Sequence, residues 1–282
     1  MDKVTAVSLI EQKKEGRKIT ALTAYDAPFA KLMDEAGIDV ILVGDSVGMT
    51  VLGREDTLSV TMEEMIHHTR AVSSVVKRAM VVADMPFMSF QVSPQKALEN
   101  AGRLIKEGRA HGVKLEGGKI MADTIRAIVN AGIPVMGHVG LTPQSVHQLG
   151  GYKVQGKKFD SARQILADSR GVEKAGAFSI VLEAIPADLA QAVTEELHIP
   201  TVGIGAGPHC DGQILVMQDM LGLSERKAKF VKEFVNIRKI ARDAFTAYVD
   251  EVRGSAFPSE EHSYKPSKTK LKVVGDEEKK RG

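Results

Sequence analysis

Four short hydrophobic runs in this sequence each end at a single acidic residue, and this pattern constrains the fold more than any other feature. The four acids are Asp45, Asp84, Glu116 and Glu183. A short apolar run stopped by a polar residue is typical of a strand buried on both faces of a parallel sheet. Because the carboxyl ends of parallel strands meet at one edge, we expect these carboxylates to converge where α/β enzymes carry their catalytic groups.

Strand and helix patterns alternate almost throughout the chain. The predicted strands are 19–23, 40–43, 80–83, 112–115, 135–137, 180–182 and 202–204, with a weaker eighth near 229–231. About eight such repeats in 282 residues predict a (β/α)8 TIM barrel, with an open, doubly wound sheet as the alternative. We expect one barrel domain over residues 1–264.

Capping signals mark where several helices begin and end. Thr61 is followed by Glu64 in a capping box, and Ser93 precedes Pro94, which suits an N-cap and a first helical position. Gly132 is typical of a helix C-terminus, and residues 236–252 form a long amphipathic pattern.

Composition excludes several classes of function. The formal net charge is only +2, from 38 basic and 36 acidic residues, so nothing indicates a nucleic-acid or membrane partner. The single cysteine, Cys210, is expected to be a packing side chain in a protein from a reducing compartment. Without a signal peptide or membrane span, we expect a cytoplasmic protein. The lysine-rich segment 265–282 is expected to be a disordered tail.

Three of the four acids follow neighbouring strands, which favours a metal site. Asp45, Asp84 and Glu116 would lie side by side on the rim of the barrel. Carboxylates brought together repel one another, and a divalent cation neutralises them. An all-oxygen ligand set favours Mg²⁺. For each acid taken singly, the alternative is a helix cap or the partner of an arginine.

Three further side chains are candidates for substrate binding or catalysis. Lys114 lies on the same side of its strand as Glu116, where it would bind a substrate anion or, alternatively, form a Schiff base. Glu183 is the candidate general base, and the alternative is an ion pair with a nearby Arg or Lys. His138, at the end of the fifth strand, is a candidate donor to the substrate or to a developing oxyanion.

Two glycine-rich segments differ from ordinary connections. Residues 137–156 exceed the usual length of a loop between strand and helix, which indicates a functional loop such as a lid. Residues 203–216 resemble a phosphate-binding loop, although they lack the Lys-Ser/Thr of a P-loop. A tight turn beside the active site explains the second segment equally well.

These residues together predict a magnesium-assisted reaction of a small anionic carbonyl compound. The metal would polarise the carbonyl group while a carboxylate removes the adjacent proton, which gives an enolate. The residues alone leave the electrophile open.

Several long segments of the chain, in order, resemble the ketopantoate hydroxymethyltransferase family. They include ILVGDSVGM, ADMPFMSF, KLEGG, GHVGLTPQSVHQLGGYKVQG and GIGAGPHCDGQILV, and the resemblance runs from about Val4 to Tyr264. It implies a barrel akin to the phosphoenolpyruvate/pyruvate superfamily, assembled as a homodecamer. It also implies transfer of a hydroxymethyl group from 5,10-methylenetetrahydrofolate to 3-methyl-2-oxobutanoate, giving 2-dehydropantoate in the first committed step of pantothenate synthesis.

The resemblance assigns roles to individual positions. It implies magnesium ligands at Asp45, Asp84 and Glu116, a general base at Glu183, and substrate contacts at Asp45, Ser46, Asp84 and Lys114. Each position carries the family's residue type, so we expect a complete active site. For the folate, the sequence offers only a candidate wall around Gly150-Gly151-Tyr152.

Two other functions remain as alternatives. A magnesium-dependent lyase similar to isocitrate lyase would use comparable carboxylates to cleave a carbon–carbon bond in a small oxyacid. Such lyases usually carry a cysteine in a mobile loop, and Cys210 lies elsewhere. A non-catalytic binding protein that keeps the barrel as a scaffold would have lost one of the acids or Lys114, and all are present.

Overall fold

The computed structural model describes residues 2–225 and 227–265, and the chain divides into two compact units. The first unit is Met1–Val235 and contains every strand of the described residues. The second unit begins at Asn236. The single domain expected over 1–264 is therefore longer than the first unit. Apart from Lys265, the tail expected over 265–282 lies outside the described residues.

Within the described residues, strands and helices alternate as the sequence predicts. The strands are β1 Ile19–Thr23, β2 Val40–Val43, β3 Met80–Asp84, β4 Gly112–Lys114, β5 Val135–Gly140, β6 Ser179–Glu183, β7 Thr201–Ile204 and β8 Gly212–Leu215. The helices are α1 Ala6–Lys14, α2 Ala27–Ala36, α3 Val47–Thr50, α4 Met62–Ser73, α5 Pro94–Lys106, α6 Ala122–Asn130, α7 Val146–Leu149, α8 Phe159–Lys174, α9 Ala187–Glu196, α10 Met217–Met220 and α11 Ile237–Arg253. Short 3-10 helices lie at Lys119–Met121, Pro143–Ser145 and Glu260–His262.

The eight strands form a closed parallel barrel in chain order, with β8 paired to β1. This confirms the (β/α)8 prediction and excludes the open sheet, because an open sheet leaves two edge strands unpaired. The first seven predicted strands correspond to β1 to β7. The largest difference in bounds is at β5, which continues to Gly140, so that His138 lies inside the strand rather than at its end.

The prediction of the eighth strand was wrong. It was expected near 229–231, whereas β8 is Gly212–Leu215 and follows β7 after a short connection. Glycine is uncommon inside strands, so this stretch has the composition of a loop. Gly212 is required there because a Cβ would collide with the carbonyl oxygen of Ile19 on β1. The segment 203–216 is therefore the end of β7, a short connection and the whole of β8.

Alternating side chains of the strands fill two apolar clusters, one inside the barrel and one under the helices. Val82 and Val181 belong to the inner cluster. Two residues further along the same strands, Asp84 and Glu183 end β3 and β6. The carboxylates at the strand ends therefore lie above an apolar barrel interior, as the period of two along a strand requires.

The predicted helix signals are confirmed. Thr61 Oγ1 accepts the backbone N–H of Glu64, whose carboxylate accepts the N–H of Thr61, and this capping box starts α4. Ser93 caps α5, which begins at Pro94. Gly132 follows the end of α6 with a positive φ of 83°.

The expectation for the single cysteine also agrees with the structure. Cys210 is a free thiol with no exposed surface, as expected of a packing side chain. Across the described parts of the chain, none of the helices combines the length and apolar character needed to cross a membrane.

The second unit is built on α11, which matches the long helix predicted over 236–252. Asn236 caps it by accepting the N–H of Lys239 at 2.8 Å. After the helix, the ring of Phe257 packs against Tyr248 and His262, at centroid distances of 5.8 and 5.0 Å. The residues that follow α11 are thus held by aromatic contacts within the unit.

Asp34, near the end of α2, holds the segment that leads into β3. Its carboxylate accepts backbone N–H groups from Lys77 at 2.8 Å, Arg78 at 3.0 Å and Ala79 at 2.7 Å. Burial alone would raise the pKa of Asp34, but these hydrogen bonds and the charge of Arg78 outweigh it and lower the pKa below 3.8. The charged form of Asp34 therefore stabilises the fold.

Replacing Asp34 by asparagine should lower the free energy of unfolding by about 1–3 kcal/mol near neutral pH, because the new amide opposes a backbone donor. The folded pKa lies below the unfolded one, so the wild-type advantage is complete above about pH 4 and is lost as the pH falls through the folded pKa. Urea unfolding of both proteins across this range measures the difference.

The neighbouring variant Glu35→Gln is the matched control. Glu35 is exposed, and its ion pair with Lys31 is long at 3.9 Å, so we expect almost no change in stability. If the difference in the free energy of unfolding between wild type and Asp34→Asn already shrinks between neutral pH and about pH 5, the lowered pKa of Asp34 is contradicted.

Candidate active site

A cavity of about 190 Å³ opens at the carboxyl end of the barrel. The structure brings together there all seven predicted site residues, which are Asp45, Ser46, Asp84, Lys114, Glu116, His138 and Glu183. A wider groove of about 710 Å³ runs along β1 and β8, but its described lining residues include no Asp, Glu or His. The titratable groups therefore mark the smaller cavity as the candidate active site.

A buried ion pair joins two neighbouring strands at the cavity floor. The parallel register pairs Asp84 at the end of β3 with Lys114 at the end of β4, and Lys114 Nζ lies 2.7 Å from Asp84 Oδ1. Burial lowers the pKa of Lys114, but the carboxylates of Asp84, Glu116 and Asp45 outweigh burial and hold that pKa above its usual value. A lysine held in its charged form suits anion binding and argues against the Schiff-base alternative, which needs the neutral amine.

Negative charge remains in excess around this lysine. Asp45 follows β2, and its backbone N–H donates to Asp84 Oδ2 at 3.0 Å. Burial, followed by repulsion from Asp84 and Glu116, raises the pKa of Asp45 to about 8. Burial also raises the pKa of Asp84, although Lys114 opposes the shift. One ammonium group thus does not balance the carboxylates that surround it.

Gln144, which was not predicted as a site residue, connects the carboxylates of Asp45 and Glu116. Its Nε2 donates to Asp45 Oδ2 at 2.8 Å and to the carbonyl oxygen of Met85 at 2.9 Å, while its backbone N–H donates to Glu116 Oε2 at 3.0 Å. Its Oε1 accepts from Gln91 Nε2 at 3.1 Å. Because these partners are distant in sequence, no local pattern could have indicated them.

The long segment predicted as a functional loop is tied to the chain around Glu183. Just after β5, the N–H of Leu141 donates to the carbonyl oxygen of Glu183 at 2.9 Å. Near the far end of the segment, the N–H of Gln155 donates to the carbonyl oxygen of Ala184, also at 2.9 Å. Gly140 has a positive φ of 95°, and a Cβ there would collide with the carbonyl oxygen of Glu183. Only glycine allows so close an approach.

His138 lies between two carboxylates. Its Nε2 is 3.2 Å from Glu183 Oε2, and its Nδ1 is 3.5 Å from Glu116 Oε1. Burial and the charge of Lys114 lower the pKa of His138, but the neighbouring carboxylates of Glu116 and Glu183 raise it to about 9. The partner of Glu183 is therefore this histidine, rather than the Arg or Lys considered as the alternative. The Glu183 side chain is 16% exposed, against 3% for His138, so it is the more open of the two to the cavity.

Ser46 is positioned by a residue that the sequence analysis missed. The hydroxyl of Tyr25 lies 2.8 Å from Ser46 Oγ, and the Tyr25 ring is buried beneath it. Burial raises the pKa of Tyr25, so the phenol remains neutral and capable of donating.

The predicted ligands of a metal ion are the carboxylates of Asp45, Asp84 and Glu116. Among the described residues, no three His, Cys, Asp or Glu side chains converge closely enough to share one ion. The oxygens of Asp45, Asp84 and Glu116 are instead directed at donors on Gln144 and Lys114. The chemistry of the three carboxylates nevertheless fits a divalent cation, because all are oxygen donors and because burial, together with repulsion from Asp84 and Glu116, raises the pKa of Asp45.

Solved structures with the same architecture share little sequence with this chain. A phosphonopyruvate hydrolase, solved with oxalate and magnesium, has a TM-score of 0.60 at 16% identity, covering 92% of this chain and 93% of its own. A 2,3-dimethylmalate lyase of the PEP mutase/isocitrate lyase superfamily has a TM-score of 0.59 at 18% identity, covering 93% and 91%. These similarities establish the fold of that superfamily.

Curated relatives are similar in sequence over nearly the whole chain. The 3-methyl-2-oxobutanoate hydroxymethyltransferase of Thermoanaerobacter sp. (strain X514) is 60% identical over 264 residues, covering 93% of this chain and 96% of the relative. The enzyme of the same name from Enterococcus faecalis (strain ATCC 700802 / V583) is 58% identical over 266 residues, covering 94% and 97%. The family model described as ketopantoate hydroxymethyltransferase matches residues 3–260. The chain therefore belongs to the ketopantoate hydroxymethyltransferase family.

Proposed function

We propose that the protein transfers a hydroxymethyl group from 5,10-methylenetetrahydrofolate to 3-methyl-2-oxobutanoate, giving 2-dehydropantoate. The observation that carries the proposal is a charged lysine, Lys114, buried among carboxylates beside the more open Glu183. This arrangement offers an anion site and a base in one cavity, as deprotonation of a small oxo acid requires. The relatives' name supplies the identity of the oxo acid.

In this proposal, Lys114 and Ser46 bind the substrate's carboxylate end. Lys114 is held in its charged form by its acidic neighbours, so it can attract an anion into a site that is otherwise negative. Ser46 provides a hydroxyl that Tyr25 orients through the 2.8 Å contact between their oxygens. Asp45 and Asp84 line the same cavity.

Glu183 is the proposed general base. It removes the proton from C3 of the substrate, next to the carbonyl group, which leaves an enolate. His138, 3.2 Å away, orients the Glu183 carboxylate and links it to Glu116. The carbon that loses its proton then bonds to the methylene carbon of the folate, and the hydroxyl of a water molecule bonds to the same carbon as its two bonds to folate nitrogens break. These nitrogens take up the proton held by Glu183 and the remaining proton of the water, which releases tetrahydrofolate.

Asp45, Asp84 and Glu116 are the proposed ligands of Mg²⁺. When bound, the ion would polarise the substrate's carbonyl group and thereby acidify the neighbouring C–H bond. Asp84 ends β3, Asp45 follows β2 and Glu116 follows β4, whereas Glu183 ends β6.

Several further parts of the proposal rest on the family resemblance. They are the place of the reaction at the start of pantothenate synthesis and assembly as a homodecamer. The proposed cytoplasmic location rests instead on the character of the amino-terminal sequence. Nothing at Cys210 favours the alternative lyase, because this thiol is buried on the connection between β7 and β8.

Proton NMR of 3-methyl-2-oxobutanoate in D₂O tests the proposed reaction without the folate. With the protein and Mg²⁺ we expect loss of the C3 proton signal, and EDTA should abolish the loss. Adding 5,10-methylenetetrahydrofolate should then produce 2-dehydropantoate. If the signal persists and no product forms after the folate is added, the proposed function is wrong.

Glu183→Gln should slow the exchange of the C3 proton by roughly 10²- to 10⁴-fold, because the amide cannot accept the proton. Substrate affinity should change little, since Lys114 and Ser46 remain. The matched control is Glu195→Gln on α9, where the carboxylate accepts only from the neighbouring Gln191 side chain. Exchange at the wild-type rate in Glu183→Gln would assign the base to another residue.

Gln144→Leu should weaken Mg²⁺ binding by roughly 10- to 100-fold, because hydrogen bonds to a ligating carboxylate fix its orientation. Isothermal titration with Mg²⁺, in the absence of substrate, measures the affinity. Gln191→Leu, which removes an exposed glutamine from α9, is the control. Tighter metal binding in Gln144→Leu would instead mean that Gln144 competes with the metal for Asp45.

A further inference from the structure

A second cavity of about 570 Å³ adjoins the candidate active site. Five residues line both cavities, namely Ser46, Met49, Tyr152, Val216 and Asp219. A molecule bound in the second cavity would therefore lie next to the substrate. A volume of this size is typical of sites for small organic ligands.

Two polar side chains on α10 lack partners there. Gln218 lines the second cavity and is 9% exposed, yet its Oε1 accepts no hydrogen bond. Its neighbour Asp219 lines both cavities, and within the described residues its carboxylate has no donor or cationic partner. A buried acceptor without a donor costs free energy, and a ligand that donates hydrogen bonds would remove that cost.

The wall nearest the active site suits a flat ring. Met49 and Tyr152 lie together there, with the Tyr152 hydroxyl 3.8 Å from Met49 Sδ. Both are large side chains with substantial exposure, 39% for Met49 and 53% for Tyr152. Aromatic and thioether groups make favourable contacts with the faces of ring systems.

We propose that this second cavity binds the pterin ring of the reduced folate, an inference that rests on the proposed function. The 2-amino group and the neighbouring N3–H of a pterin are adjacent donors, and a carboxylate such as Asp219 accepts both at once. Gln218 Oε1 is enclosed in this structure, and it accepts a further N–H of the ring once the side chain turns toward the cavity. The two acceptors disfavour an anionic ligand such as a phosphate, which would bring charge of the same sign.

The binding of tetrahydrofolate, measured by isothermal titration on the full-length protein with Mg²⁺ and no turnover, tests this site. We expect Asp219→Asn to weaken binding roughly 10- to 100-fold, because a pair of charge-assisted hydrogen bonds is lost. Gln218→Met should weaken it less, as it removes one neutral acceptor. Asp123→Asn on the exposed end of α6 is the matched control and should bind as the wild type does.

A tetrahydrofolate analogue with methyl in place of the 2-amino group supplies a second readout. Wild type should bind it much more weakly than tetrahydrofolate, whereas Asp219→Asn should bind the two with similar affinity. A merely structural role for Asp219 would weaken both ligands equally and leave the wild-type preference intact in the variant.

The outcomes separate this inference from the proposed function. If wild type exchanges the C3 proton but Asp219→Asn binds tetrahydrofolate normally, the pterin site is wrong while the reaction stands. If tetrahydrofolate does not bind wild type at all, the inference is overturned. If Asp219→Asn weakens binding and removes the preference for the 2-amino group, the site is established whatever the exchange experiment shows.

Discussion

The burial of Lys114 among carboxylates is the interaction on which the candidate active site depends. The parallel register of β3 and β4 sets Lys114 opposite Asp84, so the ion pair is a direct consequence of how the strands align. Removing either partner would leave an uncompensated charge in a dry environment, which is strongly destabilising. The other acids can share this small space only because the lysine partly offsets their repulsion.

A second set of contacts extends from the carboxylates around Lys114 to Glu183, the proposed base. Glu116 is near His138, and His138 is near Glu183, so the two carboxylates are connected through one imidazole ring. A change of charge at Glu116 therefore acts first on His138, which also contacts Glu183. The proposed metal ligand Glu116 and the proposed base Glu183 are thus connected through His138, although different strands carry them.

Much of the fold followed from the sequence because its signals are local. Buried strands, capping boxes and acids at strand ends are patterns over a few neighbouring residues, and they gave seven strands and the rim of the barrel. The eighth strand was missed because Gly212 serves a close approach to β1 that only the assembled barrel contains. Gln144 and Tyr25 were missed for the same reason, since their partners Asp45 and Ser46 are brought to them by the tertiary structure.

The long segment 137–156 is hydrogen-bonded, near its two ends, to the backbone of the proposed base Glu183 and of Ala184. The ends of this segment and the backbone at the end of β6 therefore hold each other in position. If this loop were exchanged between related barrels, Gly140 and the residues that follow β6 would have to be transferred with it. Between its ends, the segment is also fixed at Gln144 by hydrogen bonds to Asp45 and Glu116, so an exchanged loop would have to supply that residue as well.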